Sequence, residues 1–430
     1  MTRSVATVWA TLVAACFAPT AARADRFDVD PVPCANLPWQ AGDPAFAAAP
    51  GARAFSGRYD GGIYRVEIPE NWNGDLVLYA HGFRGAGGAN GAVLSVGNSP
   101  IRAHLLERGY AWAASSYRCN GYVPGQGLED TVLLVDLFTG FNGGRGPGRV
   151  YLTGTSMGGH VTLLGMHEYP TRFAGGLAMC PAGPGLFDYF AAVGGAAEVI
   201  TGIQFTVQGL RDQTTSLATI LGTPPDYTEK GRQLASVQIQ ISGGSRPFAM
   251  EGLENRFLAN ISGAALAGST TPSNRAVDTR GFTYAIEPGL GISAATLNER
   301  ARRATGDPAV RGTAGPYEEL APFDGQIARP VLTMHGTGDL FVPIFLERTL
   351  QDAVRGAGRA DLLVQRIYRI PGHCGFSNQE MTKAFDDLVA WVTTGTHPAG
   401  DDLSASLANA GLTFTNPLRE GDPGTTHVAP

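Results

Sequence analysis

Ser156 stands at the centre of Gly154-Thr155-Ser156-Met157-Gly158, a G-x-S-x-G pattern. A serine hydroxyl is a poor nucleophile until a neighbouring base takes its proton. The pattern supplies the exposure such chemistry needs. The apolar run at 150–153 reads as a strand and residues 157–168 as a helix, so Ser156 falls on the sharp turn between them. Side chains at Gly154 or Gly158 would collide with neighbouring backbone in that turn. In a chain with 58 glycines the five residues alone are weak, and the flanking strand and helix give them their specificity.

The base is expected on a loop after the last strand. Ile370-Pro371-Gly372-His373-Cys374-Gly375 provides His373 there. His104, His167, His397 and His427 have no motif around them. His160 lies one turn into the helix after Ser156 and reads as a packing or hydrogen-bonding residue. His335, at a strand end, is a weaker alternative base. A carboxylate must fix the imidazole tautomer and stabilise the imidazolium. Asp339 follows the buried run 331–334, with Val342-Pro343 close behind. Asp324 is the runner-up acid but precedes that strand; Asp352 and Asp361 read as surface charges. Two backbone N–H groups must face the oxyanion. Met157, after the nucleophile, is one. The other is expected from His81-Gly82-Phe83-Arg84-Gly85, with Phe83 as donor and His81 as a structural hydrogen-bonder.

The elements that must position these residues alternate along the chain. Strands are predicted at 53–59 and 63–68 around an Asp60-Gly61-Gly62 hairpin turn, then at 76–80, 110–115, 150–153, 176–179, 331–334 and 363–370. Helices are predicted at 101–108, 128–141 and 157–168, and from a Ser377/Glu380 capping box to 392. This order predicts an α/β fold with a mostly parallel sheet covered on both faces. Residues 184–325 interrupt it, with helical pieces at 188–199 and 294–303. They are expected to form an insertion capping the pocket, between core segments 53–183 and 326–396. A Pro- and Ala-rich stretch (25–52) precedes the core and a tail (397–430) follows it.

Composition narrows the partners. Charged residues are 16% of the chain and the formal charge is −6, which argues against a disordered chain, a coiled coil or a nucleic-acid binder. Residues 1–24 carry Arg3, an apolar stretch and small residues around Ala22-Arg23-Ala24, the pattern of a secretory signal peptide. Val13-Ala14-Ala15-Cys16 also fits a lipoprotein signal that would acylate Cys16. No later run reaches the ~18 apolar residues of a membrane span. Cys34, Cys119, Cys180 and Cys374 remain, an even number that suits two disulfides in an oxidising compartment. No zinc spacing is present, and neither metal nor organic cofactor is expected.

Taken together, these segments resemble the α/β-hydrolase superfamily over residues 53–182 and 326–394. The likeness rests on the loop 81–85, the Ser156 turn, the Asp339 segment and the His373 loop, in that order. Gly336 to Pro343 is similar to prolyl-oligopeptidase-like esterases and peptidases. The His373-Cys374 pair is similar to tannase- and feruloyl-esterase-like enzymes, in which a cysteine before the nucleophile bridges to the one after the histidine. Thr155 occupies that place here. Cys180, at the end of the strand following the nucleophile helix, lies on the same sheet edge as the histidine loop. The expected pairs are therefore Cys180–Cys374 and Cys34–Cys119.

The resemblance implies a serine hydrolase acting on a small-molecule or polymeric carboxylic ester through an acyl-enzyme, and the leader pattern implies that it is exported. The alternatives are an exopeptidase or amidase on the same triad, an acyltransferase, and a noncatalytic binding protein on the same scaffold. Phe187, Tyr189 and Phe190 are candidate pocket aromatics or core residues.

Overall fold

The computed structural model describes residues 40–41, 46–85, 93–204, 214–254, 256–261, 277–311, 320–404 and 406–415. The leader 1–24 with Cys16, Cys34, His427 and tail residues 416–430 lie outside them. Asp60 and Gly61 adopt positive φ (48° and 84°), the geometry of a two-residue hairpin loop that matches strand twist. They join β1 (Ala52–Tyr59) to β2 (Gly62–Pro69) in antiparallel register.

Six more strands complete the sheet: β3 (Leu76–Ala80), β4 (Ala111–Ser115), β5 (Val150–Thr155), β6 (Gly175–Met179), β7 (Val331–Gly336) and β8 (Leu363–Tyr368). The spatial order is β8-β7-β6-β5-β3-β4-β2-β1. The strands from β3 to β8 pair in parallel, and β2 runs antiparallel to β4. Every residue of β3, β4, β6 and β7 is buried, as strands covered on both faces must be. Alternate residues feed opposite cores: Leu76, Leu78 and Ala80 join one, Val77 and Tyr79 the other.

The helices are α1 (Arg102–Glu107), α2 (Pro124–Val132), α3 (Leu134–Phe141), α4 (Met157–Glu168), α5 (Leu186–Thr201), α6 (Thr214–Leu221), α7 (Glu229–Ile241), α8 (Ala249–Glu254), α9 (Ala294–Arg300), α10 (Pro308–Arg311), α11 (Phe345–Gly356) and α12 (Asn378–Thr394). The helix predicted at 128–141 is in fact two. Pro124, preset for the first helical position, starts α2 earlier, and the chain re-enters a helix after Leu133. Asp130 falls in the last turn of α2 and is buried against the Arg118 guanidinium at 2.5 Å. The capping box is present: Ser377 Oγ accepts the Glu380 N–H at 3.2 Å, and Glu380 Oε2 accepts the Ser377 N–H at 2.7 Å.

The described residues between β6 and β7, α5 to α10 among them, add no strand to the eight-stranded sheet. The described part of the tail lies along the edge strand β8. Asp401 N–H donates to Gln365 C=O at 2.7 Å, and its carboxylate accepts the Ile367 N–H at 2.8 Å. Leu403, Leu407 and Ala410 pack with Ile344 and Ile367. That cover shields an edge that would otherwise offer unpaired backbone groups.

Candidate active site

The turn between β5 and α4 holds Ser156 at φ 58°, ψ −119°, a conformation that L-residues occupy only under constraint. The constraint is visible. Ser156 N–H donates to Met179 C=O at 2.9 Å, and its own carbonyl accepts the N–H groups of His160 and Ala182, both at 3.1 Å. A Cβ added at Gly154 would sit 2.0 Å from Gly158 O, and one at Gly158 would sit 2.0 Å from Ala80 O. Both glycines are thus required by close backbone approach.

The loops after β7 and β8 bring the other two side chains to the same rim. His373 Nε2 lies 2.8 Å from Ser156 Oγ, and its Nδ1 lies 2.5 Å from Asp339 Oδ2. An ionised carboxylate only accepts, so Nδ1 carries the proton and Nε2 is free to accept from the hydroxyl. Asp339 Oδ1 takes the N–H groups of Phe341 (3.1 Å) and Val342 (2.9 Å). Burial alone would raise the Asp339 pKa; the charge and hydrogen bond of His373, the nearby His335 and the Val342 N–H outweigh it and hold the carboxyl below its ordinary range.

The 81–85 loop lies against the nucleophile, since a Cβ on Gly82 would meet Ser156 Cβ at 3.3 Å. Phe83 follows Gly82 and packs half-buried on the core. Met157 is the first residue of α4, where backbone N–H groups have no intrahelical acceptor. His81 is no base. Burial, then the Arg84 charge, lower its pKa to about 3, and its ring stacks on Tyr117 at 4.0 Å.

The remaining candidates are placed elsewhere. His160 Nδ1 meets Tyr122 Oη at 2.8 Å. His335 is buried, with Nε2 2.9 Å from Val342 O and Nδ1 3.5 Å from Glu347 Oε1. Asp324 pairs with His167 at 3.1 Å, and Asp352 and Asp361 are exposed. Phe187, Tyr189 and Phe190 are buried core residues. A pocket of about 200 Å³ between α4, α5 and α11 is lined by Leu163, Pro184, Asp188, Arg311 and Leu346 among others, and by no member of the Ser156, Asp339, His373 group.

Cys180 and Cys374 form a disulfide with Cα atoms 5.4 Å apart. Cys374 Sγ lies 3.4 Å from His373 Nε2. Cys119 is also disulfide-bonded, and Cys34 lies outside the described residues. Thr155, beside the nucleophile, shares a hydrogen bond with Tyr79 Oη at 3.0 Å. Cys180, His373 and Cys374 bring their donor atoms within 4.8 Å of one another. Both sulfurs are consumed by the disulfide, so the cluster offers no thiolate to a metal.

Sequence reasoning did not name the residues through which the segment between β6 and β7 reaches the site. A Cβ on Gly252 of α8 would lie 1.6 Å from Gly338 O and 2.9 Å from Pro371 O, so α8 abuts both the Asp339 and the His373 loops. Buried Arg246 donates through Nε to Thr337 C=O at 2.6 Å. The Phe341 ring stands edge-on to His373 at 5.4 Å, and the Arg256 guanidinium lies over Phe341 at 4.5 Å. Nothing in the local pattern around these residues marks them.

Strand order, the turn at Ser156 and the chain order of serine, aspartate and histidine give this chain the architecture of the α/β-hydrolase fold. No family model matches the chain. It is 23% identical to the o-phthalyl amidase of Xanthobacter agilis over 83% of this chain and 91% of that one. Among solved structures it is similar to feruloyl esterase B from Aspergillus oryzae (16% identity, TM-score 0.43, covering 81% of this chain and 82% of that one). An esterase from Pyrococcus furiosus is another (13% identity, TM-score 0.41, 84% and 98%).

Proposed function

We propose that the protein is an exported serine hydrolase that cleaves carboxylic esters. The observation that carries this reading is the Asp339–His373–Ser156 relay, with contacts of 2.5 and 2.8 Å. Ser156 Oγ attacks the acyl carbon while its proton passes to His373 Nε2. Asp339 stabilises the imidazolium. The N–H groups of Phe83 and Met157 receive the charge that develops on the carbonyl oxygen. Collapse of the tetrahedral intermediate expels the alcohol, which leaves with the His373 proton. Water, deprotonated by His373, then attacks the acyl-enzyme, releasing the acid and restoring the serine hydroxyl.

The segment between β6 and β7 acts as a cap over this rim, and its contacts with the Asp339 and His373 loops support that role. Export is supported by the leader pattern at 1–24 and by the disulfides, which persist in oxidising compartments. Among the described residues no helix is long and apolar enough to cross a membrane.

A second reading, amide cleavage on the same relay, is favoured by the amidase among the relatives. Purified protein and Ser156→Ala, assayed on matched nitrophenyl esters and anilides, separate the two. Ester turnover that vanishes in Ser156→Ala supports the first reading, and turnover of anilides alone supports the second. A protein that neither turns over any substrate nor gains mass from a fluorophosphonate is a noncatalytic scaffold.

A further inference from the structure

A positive charge near the His373 ring comes from outside the relay. Arg256 follows α8, and its guanidinium carbon lies 4.5 Å from the centre of the Phe341 ring. That ring stands edge-on to the His373 imidazole at 5.4 Å. The cation is therefore one ring away from the His373 imidazole. Arg256 and Phe341 are both only half-buried, so part of each side chain reaches solvent. Among the described residues no carboxylate pairs with the Arg256 guanidinium.

Its position is fixed rather than free. Four residues earlier, Gly252 abuts Gly338 and Pro371, the neighbours of Asp339 and His373. On the other side, Gln238 Nε2 donates to Phe257 C=O at 3.1 Å in a buried contact. Phe341 is held through its own N–H, which donates to Asp339 Oδ1, and through its tilted contact with Phe190 at 5.7 Å. An arginine stem anchored at both flanks and stacked on a ring is preorganised to bind a planar anion.

We propose that Arg256, stacked on Phe341, binds a carboxylate carried by the substrate a short spacer away from the scissile carbonyl. The proposal rests on the serine-hydrolase reading above and names its substrate class, esters or amides bearing a free carboxylate. A guanidinium presents two parallel N–H donors that match both carboxylate oxygens. A single positive charge balances one negative charge, whereas a phosphate brings nearly two. The carboxylate belongs either to the acyl part, as in a monoester of a dicarboxylic acid, or to the leaving group, as in an acylated hydroxybenzoate.

Two matched pairs of substrates distinguish these sources. Ethyl hydrogen isophthalate against diethyl isophthalate tests the acyl side; 4-acetoxybenzoic acid against its methyl ester tests the leaving-group side. The matching anilides serve if only amides are cleaved. Wild type should prefer the carboxylate member of one pair in kcat/KM by about 10- to 100-fold, the range expected for a charge-assisted pair. In Arg256→Met that ratio should fall toward one, mainly through KM, and Arg256→Lys should keep part of it. Competitive inhibition by benzoate should weaken in Arg256→Met in parallel. An unchanged ratio in Arg256→Met, or a wild-type preference for the neutral member of both pairs, overturns the proposal. Fluorophosphonate labelling keeps the two readings apart. An enzyme that labels at Ser156 without carboxylate preference overturns this inference alone; one that neither labels nor turns over any substrate overturns both.

Discussion

Arg246 donates to the main-chain carbonyl of Thr337 at 2.6 Å, which ties the segment between β6 and β7 to the turn that presents Asp339. Its other nitrogens donate to Gly244 O at 2.7 Å and Ser242 Oγ at 3.1 Å. Burial lowers this guanidinium to about 10, partly offset by Tyr189 and Asp339, so it remains charged at neutral pH. A methionine in its place fills the volume and leaves the buried Thr337 carbonyl unpaired. Arg246→Met should cost about 2 kcal/mol of stability. The freed turn should lower kcat by about 10- to 100-fold through misplacement of the base. Thermal melts and steady-state kinetics on a nitrophenyl ester check both; an unchanged kcat would show that the turn holds Asp339 without the arginine.

The pH dependence follows from two buried groups with opposite signs. Asp339 has its pKa lowered in the fold, so it stabilises above its unfolded value and loses that contribution only as pH falls through the lowered one. Loss of the Asp339 charge should therefore play no part in the pH profile of kcat/KM near neutrality. Asp339→Asn should lower kcat by roughly 10³- to 10⁴-fold by admitting the wrong tautomer. His335 runs the other way. Burial lowers its pKa, but the Glu347 carboxylate, with Asp339 and Val342 O, outweighs that and raises it. Its contribution is full below about 6.5, the ordinary histidine value, and is lost as pH rises through the raised one. Melts of wild type and His335→Gln from pH 5 to 9 should show a difference that shrinks at alkaline pH; a constant difference would refute the assignment.

Much of the site could be read from the chain because its residues sit in short local patterns. The Ser156 turn needs glycines on both sides, and close approach to Gly158 O and Ala80 O leaves no room for alternatives. The parallel strands announce themselves as unbroken apolar runs because both faces are covered. What stayed hidden depends on contacts without local signature. Arg246 and Gly252 lie between β6 and β7, about a hundred residues before the loops they hold, in a segment with no repeating pattern. The break at Leu133 was missed because apolar spacing continues across it, while the earlier start at Pro124 shifts the helix frame.

The Cys180–Cys374 bridge joins the end of β6 to the residue after the histidine, across 194 positions. A link over so long a span removes much of the unfolded chain's freedom, so the Cys180→Ser, Cys374→Ser double variant should lose about 2–4 kcal/mol. The larger consequence should be kinetic. With the bridge gone, the loop carrying His373 is tethered only by its other contacts, and kcat should fall more than KM rises. Mild reduction of wild type should reproduce the loss of activity below the temperature at which the fold melts. Retention of full kcat in the double variant would assign the bridge to stability alone.

Ser156 itself is held in a backbone conformation that glycine reaches without strain and alanine does not. Replacing it therefore gives two inactive proteins with different stabilities. Ser156→Ala keeps the Cβ and the positive φ, so its melting temperature should stay close to that of wild type. Ser156→Gly removes the Cβ and relieves about 1 kcal/mol of strain, offset in part by the greater freedom of glycine in the unfolded chain. The glycine variant should melt above the alanine variant, though neither turns over substrate. The same logic predicts the reverse at Gly158, where the first carbon of an alanine would lie 2.0 Å from Ala80 O and 2.8 Å from His81 O. Gly158→Ala must displace either the helix or the loop after β3, and should lower both stability and fluorophosphonate labelling. A glycine variant at 156 that melts no higher than the alanine variant would mean that the three hydrogen bonds to the Ser156 backbone, rather than its side chain, set the energy of the turn.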